Sequence, residues 1–158
     1  MSSRDEIADQ LLSKLKASPF LMIGIDDTPD HSEPMTALLD PDKPSADTLW
    51  FFTTKDNRIA IAGPAMAQFA AKGHDFFACL HGTLSPHDDR ATIDRLWSKQ
   101  VEAWYPRGKD DPSLLLLRYD IDSVELWEAH VSLAGRVRML FGADMREEEK
   151  GKHTLLTL

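Results

Sequence analysis

The feature that most restricts how this chain can fold is the rhythm of its apolar residues. Short runs of β-forming side chains recur along the sequence, each closed by Asp, Pro, Ser or Gly. Residues 20–25, 36–39 and 48–54 read as three antiparallel strands of a meander. Residues 66–71 and 76–80 read as a hairpin turned at Lys72-Gly73-His74-Asp75, and 114–119 and 124–127 as two further strands. Helical signals are fewer. Ser3-Arg4-Asp5-Glu6 has the form of a capping box, and Ile7, Leu11, Leu12 and Leu15 follow at helical spacing up to Ser18-Pro19. Ser85-Pro86, with Asp88 and Asp89 where a helix dipole favours negative charge, predicts a helix over 86–104. Its apolar stripe is Ile93, Leu96, Trp97, Val101 and Trp104. One or two helical turns fit 57–62, and a short terminal helix over 133–141 precedes a charged tail over 146–153. Strands that outnumber helices without alternating regularly with them exclude a doubly wound α/β fold. They predict a mostly β, antiparallel barrel with peripheral helices: one inserted and one at each end.

At 158 residues, with no repeat and no linker, the chain is expected to form a single domain over 1–158, its tail from about 146 being extended. The formal charge of -8 argues against nucleic acid as the main partner, because affinity for phosphate backbones needs clustered Lys and Arg. No apolar run approaches the ~20 residues of a membrane span. Cys79 is the lone cysteine and has no internal partner for a disulfide, and residues 1–6 lack the apolar run of a signal peptide. The expected setting is the cytoplasm, with neither nucleic acid nor membrane as partner.

Several enzyme classes lose their usual support, since the chain contains no G-x-G-x-x-G, no Walker-type loop, no G-x-S-x-G and no H-E-x-x-H. The histidines at 31, 74, 81, 87, 130 and 153 show no metal-ligand spacing, and no metal is expected. His81 reads as a partly buried, hydrogen-bonded side chain, and Cys79 as inert core without a cation to lower its thiol pKa. Asp26-Asp27, Asp88-Asp89 and Asp110-Asp111 suit backbone capping. No catalytic residue is identified.

The strongest local signal is Leu49-Trp50-Phe51-Phe52-Thr53-Thr54-Lys55-Asp56-Asn57-Arg58, an aromatic strand that ends in two hydroxyls and then a Lys and an Arg. Apolar surface beside hydroxyl donors and cations is what a flat heterocycle carrying a phosphate requires. A β-strand with a solvated polar turn would have the same sequence.

The order of Pro34-Met35-Thr36, this aromatic strand, Leu96-Trp97, and Ala103-Trp104-Tyr105-Pro106-Arg107-Gly108-Lys109-Asp110-Asp111-Pro112 carries a resemblance, continued by Leu114-Leu115-Leu116-Leu117-Arg118 and Glu125-Leu126-Trp127. Over about residues 5–142 the chain resembles the bacterial general stress proteins of the pyridoxamine 5′-phosphate oxidase-like superfamily. The resemblance implies a split β-barrel that forms homodimers and binds FMN, or in some members other flavins such as FAD, at the dimer interface; the function expected is that of a flavin-dependent redox protein or a flavin-binding stress factor. By the same resemblance Phe52, Thr53 and Thr54 lie along the isoalloxazine ring, while Met35 and Thr36 belong to the strand facing its polar edge. Asn57 and Arg58 resemble the segment that meets the phosphate, and Lys55 is expected to help Arg58 neutralise it. Trp104 and Lys109 belong to the loop that approaches the flavin from the partner subunit.

Two positions depart from the family pattern. Glu33 stands where Arg is frequent and Ile59 where Lys is common, and both changes remove positive charge near the expected phosphate. A like charge beside a dianion costs affinity unless Glu33 points away or pairs with Arg58 or Lys55. A cofactor-free dimeric split-barrel scaffold is therefore the alternative function, and a split-barrel reductase using deazaflavin or haem ranks last.

Overall fold

The computed structural model describes residues 3–129, 140, 142 and 152–157. The chain opens with α1 (Arg4–Ala17), started by the expected capping box: Ser3 Oγ accepts from the Glu6 amide at 3.2 Å, and the Glu6 carboxylate accepts from the Ser3 amide at 3.0 Å. Its buried stripe is Ile7, Leu11 and Leu15. Burial of such side chains stabilises by roughly 1.5–3 kcal/mol each, more than helix propensity supplies.

Seven antiparallel strands follow: β1 (Phe20–Ile25), β2 (Glu33–Thr36), β3 (Thr48–Thr54), β4 (Gly63–Ala70), β5 (Phe76–Pro86), β6 (Leu114–Glu128) and β7 (Lys152–Thr157). They form one sheet in the order β2-β1-β4-β5-β6-β3, with β7 added to β6. A single bridge, Leu38 with Trp50, joins the segment after β2 to β3, through Leu38 N–H to Trp50 O at 2.8 Å and Trp50 N–H to Leu38 O at 3.0 Å. The protein has the expected split-barrel-like β fold with peripheral helices.

Side-chain alternation along the strands builds the interior. Ala65, Ala67 and Phe69 of β4, with Phe76, Ala78 and Leu80 of β5, point into the main core beside Phe51, Leu117 and the α1 stripe. A second apolar cluster lies on the other face of β3 and β6, where Trp50, Phe52 and Leu116 meet Leu96 and Val101. The outward face of β1, β4, β5 and β6 carries exposed Phe20, Met22, Met66, Phe77 and Trp127. Among the described residues no helix is long and apolar enough to cross a membrane.

Several expected elements differ from those observed. The second strand is 33–36, not 36–39: among the described residues β2 pairs only with β1, and such an edge tolerates Pro34, which has no N–H to donate. The meander is not formed either, because β3 pairs with β6. Strand β4 begins at Gly63, ahead of the expected 66. Ser85-Pro86 ends β5 instead of starting a helix, and the expected single helix is two short ones, α2 (Arg90–Leu96) and α3 (Lys99–Trp104). Ser98 makes the break, its Oγ accepting from the Val101 amide at 3.2 Å and starting a new helix.

The expected strands 114–119 and 124–127 are one continuous β6, and residues 152–157 of the expected tail are β7. A 3₁₀ turn (Arg58–Ile61) fills the expected helical segment. The terminal helix over 133–141 falls almost wholly outside the described residues. Cys79 is half-buried on the outward face, not in the core, and burial pushes its thiol pKa up, with Glu125 adding to the rise.

Candidate functional site

The expected site residues come from three elements: β2, the end of β3 and the 3₁₀ turn. Asn57 caps that turn, its Oδ1 accepting from the Ile59 amide at 2.9 Å, and this leaves Nδ2 facing β2. There it donates to Glu33 Oε2 at 2.7 Å. Arg58 extends in the same direction: Nε lies 2.9 Å from Glu33 Oε1, and Nη1 donates to the His31 carbonyl at 3.0 Å. Glu33 therefore joins Asn57 and Arg58, one carboxylate oxygen to each. This pairing compensates the Glu33 charge, and it also occupies the cation that a phosphate would use.

Met35 packs half-buried against the main core, and Thr36 beside it is exposed on the edge strand. Among the described residues β2 pairs on one side only, so its other edge keeps backbone donors and acceptors outside the ladder. Lys55 is exposed, donates its amide to the Ser113 carbonyl at 2.9 Å, and has no ion-pair partner among the described residues.

The strand end is organised differently from a row of ligand-facing side chains. Phe52 is buried in the second cluster, edge-on to Trp97 at 5.5 Å and tilted against Tyr105 at 6.4 Å. Thr53 is buried, whereas Thr54 is half-buried with its hydroxyl donating to Asp56. Successive side chains point to opposite sheet faces, so these two hydroxyls address different environments.

Trp104 and Lys109 are not linked to Arg58 by any hydrogen bond or ion pair among the described residues. Trp104 ends α3 with 79% of its surface exposed. Lys109 lies 3.0 Å from Asp94, and its ammonium, helped by Arg90, holds that carboxyl below its ordinary pKa. The loop between them is anchored by Tyr105, whose hydroxyl donates to the Phe52 carbonyl at 2.7 Å. Burial raises the Tyr105 phenol pKa, which keeps it a donor. Sequence reasoning did not single out Tyr105, and no spacing rule identifies a long-range donor of this kind.

His81 was expected to be hydrogen-bonded, but its partners were not legible. Nε2 lies 2.9 Å from Asp26 Oδ2 and Nδ1 3.0 Å from Asp122 Oδ1. A neutral imidazole carries one N–H, so hydrogen bonds at both nitrogens to two ionised carboxylates require the imidazolium. The two contacts raise the His81 pKa, Asp26 contributing most, against an opposing effect of burial.

A cavity of about 470 Å³ opens at the opposite end of β3, lined in part by Thr48, Trp50, His87, Arg95 and Arg118. Its arginines are committed, Arg95 to Asp40 and Asp42, and Arg118 to Asp120 while lying 5.6 Å over the Trp50 ring.

Residues 6–148 match the family model described as pyridoxamine 5′-phosphate oxidase like. Among solved structures, a general stress family protein of Xanthomonas campestris pv. campestris is 40% identical, with a TM-score of 0.75, over 84% of this chain and 94% of its own. A general stress FMN/FAD binding protein of Xanthomonas citri is also 40% identical, with a TM-score of 0.73, over 82% of this chain and 93% of its own. General stress protein 26 of Jannaschia sp. CCS1 is 25% identical, with a TM-score of 0.74, over 95% of this chain and 97% of its own. No curated protein matches the chain.

Proposed function

The chain belongs to the pyridoxamine 5′-phosphate oxidase-like family, and from that premise we propose that it is a homodimeric, flavin-binding general stress protein with a redox role, acting in the cytoplasm as a single domain. The observation that carries the reading is the convergence of the open edge of β2 with Asn57 and Arg58. The likeness to a protein named for FMN/FAD binding points the same way.

For the ring half of a flavin, support comes from backbone groups, since among the described residues the far edge of β2 is unpaired. Backbone groups of Met35 and Thr36 and the end of β3 at Phe52, Thr53 and Thr54 would face the polar edge of the isoalloxazine. The Phe52 side chain, locked against Trp97, holds that strand end in place. The phosphate half fits less well, since Arg58 is engaged by Glu33 and only Lys55 stands unpaired among the described cations nearby. A bound flavin would supply hydride and one-electron transfer. This chain's residues would bind and orient it.

Association rests on a separate observation. Met22, Met66, Phe77 and Trp127 leave an apolar outer sheet face, and the exposed Trp104 is available to a second copy. In the dimer Trp104 and Lys109 would reach the partner's flavin.

The test is titration of the purified protein with FMN and FAD, following quenching of flavin and tryptophan fluorescence, with light scattering for mass. Saturable binding of about one flavin per chain by a dimer supports the reading. A protein that binds neither flavin supports the cofactor-free dimeric scaffold. A monomer refutes the association.

A further inference from the structure

We infer that Glu33 determines which flavin this site accepts: it is an internal anion standing where a ligand phosphate would stand, so that the protein holds riboflavin as well as it holds FMN. The inference rests on the flavin reading above and concerns only the phosphate end of that site.

The geometry supplies the argument. Both Glu33 oxygens are held, Oε1 by Arg58 Nε at 2.9 Å and Oε2 by Asn57 Nδ2 at 2.7 Å. Asn57 is in turn held by accepting from the Ile59 amide at 2.9 Å, so the carboxylate has a two-point anchor. Arg58 is also drawn toward the His31 carbonyl, at 3.0 Å. Glu33 is the more buried member of its pair, its side chain 24% exposed against 41% for Arg58.

The Glu33–Arg58 pair is itself neutral. A phosphomonoester brings a charge of about −1.5 to −2 at pH 7. To bind Arg58 it must displace Glu33 or lie beside it, and either course offsets the gain from the charge-assisted contact. Riboflavin brings the same ring and ribityl chain with no anion and avoids both costs. Ile59 is fully buried in the main core and brings no charge to this point, which leaves the exposed Lys55 to meet the phosphate alone.

The experiment compares dissociation constants for riboflavin and FMN by fluorescence quenching, on the native protein and on Glu33→Gln. Glutamine keeps an oxygen for Asn57 Nδ2 and removes the charge. The native protein is expected to bind the two ligands within about threefold of each other. Glu33→Gln is expected to tighten FMN by about tenfold or more with riboflavin unchanged. A native preference for FMN of about tenfold or more overturns the inference, as does an unchanged ratio in Glu33→Gln. If the variant does not fold, the native ratio alone decides. Absence of binding by either ligand refutes the flavin reading itself, an outcome separate from a preference for FMN.

Discussion

Raising the pH should weaken this protein through His81. The side chain is 32% exposed, and its partners Asp26 and Asp122 are 33% and 57% exposed, so the clamp is a partly solvated pair of ion contacts. Such contacts contribute about 0.2–1 kcal/mol each, and the two together about 1 kcal/mol. The folded-state pKa of His81 lies above its ordinary value, raised first by Asp26 and then by Asp122. Folding therefore favours the protonated ring. The contribution is complete below the unfolded-state pKa of about 6.5 and is lost as pH rises through the higher folded-state value. For a chain of this size 1 kcal/mol corresponds to roughly 2–4 °C in Tm.

Thermal unfolding of the native protein and His81→Gln, measured from pH 5.5 to 9, should show a gap of about this size at the acid end that narrows by more than half at the alkaline end. Deprotonation leaves one N–H for two carboxylates, so one arm fails first. A gap that is constant, or that widens with pH, would refute the reasoning. Asp26→Asn should cost more than Asp122→Asn, because Asp26 is the less exposed partner.

Three further outcomes are expected. Tyr105→Phe removes the hydrogen bond to the Phe52 carbonyl and should cost about 1 kcal/mol, read as a fall of roughly 2–4 °C in Tm. Gly82→Ala should destabilise by more than about 3 kcal/mol or abolish soluble expression, since a Cβ there would sit 2.2 Å from the Asp120 carbonyl oxygen at the register shift between β5 and β6. A normally stable variant would show that this register is wrong. Ser98→Ala removes the cap of α3 and should cost about 1 kcal/mol in chemical denaturation, whereas a cost near zero would mean that α2 and α3 join.

The parts of the fold legible in the sequence were those fixed by local chemistry. The capping box at Ser3 and Glu6, the apolar stripe of α1 and the aromatic run of β3 are each specified within a few neighbouring residues. Pairing across distance was not legible: β3 and β6 lie about 65 residues apart, and alternation marks a strand without naming its partner. Pro34 concealed β2 because a proline forbids an interior strand yet suits an edge, and edge position is a property of the whole sheet. Trp97 and Ser98 concealed the break in the helix, since a capping serine inside an apolar stripe looks like one polar position in an amphipathic helix. At the candidate site, the sequence brought Asn57 and Arg58 together and marked Glu33 as an anomaly of charge. It could not give the orientation of Glu33, which depends on the fold placing β2 against the 3₁₀ turn.

The length of β6 bears on how the chain is assembled during synthesis. Its 15 residues pair with β3, β5 and β7, so the sheet cannot close until residues 114–128 have left the ribosome. Until then the hairpin of β4 and β5 carries one edge prepared for a neighbour that does not yet exist, and β3 has no ladder at all. Such unpaired edges are templates for neighbouring chains. A nascent chain stalled before residue 114 should therefore be the most aggregation-prone species this protein passes through, and release of β6 the step that commits it to the native topology.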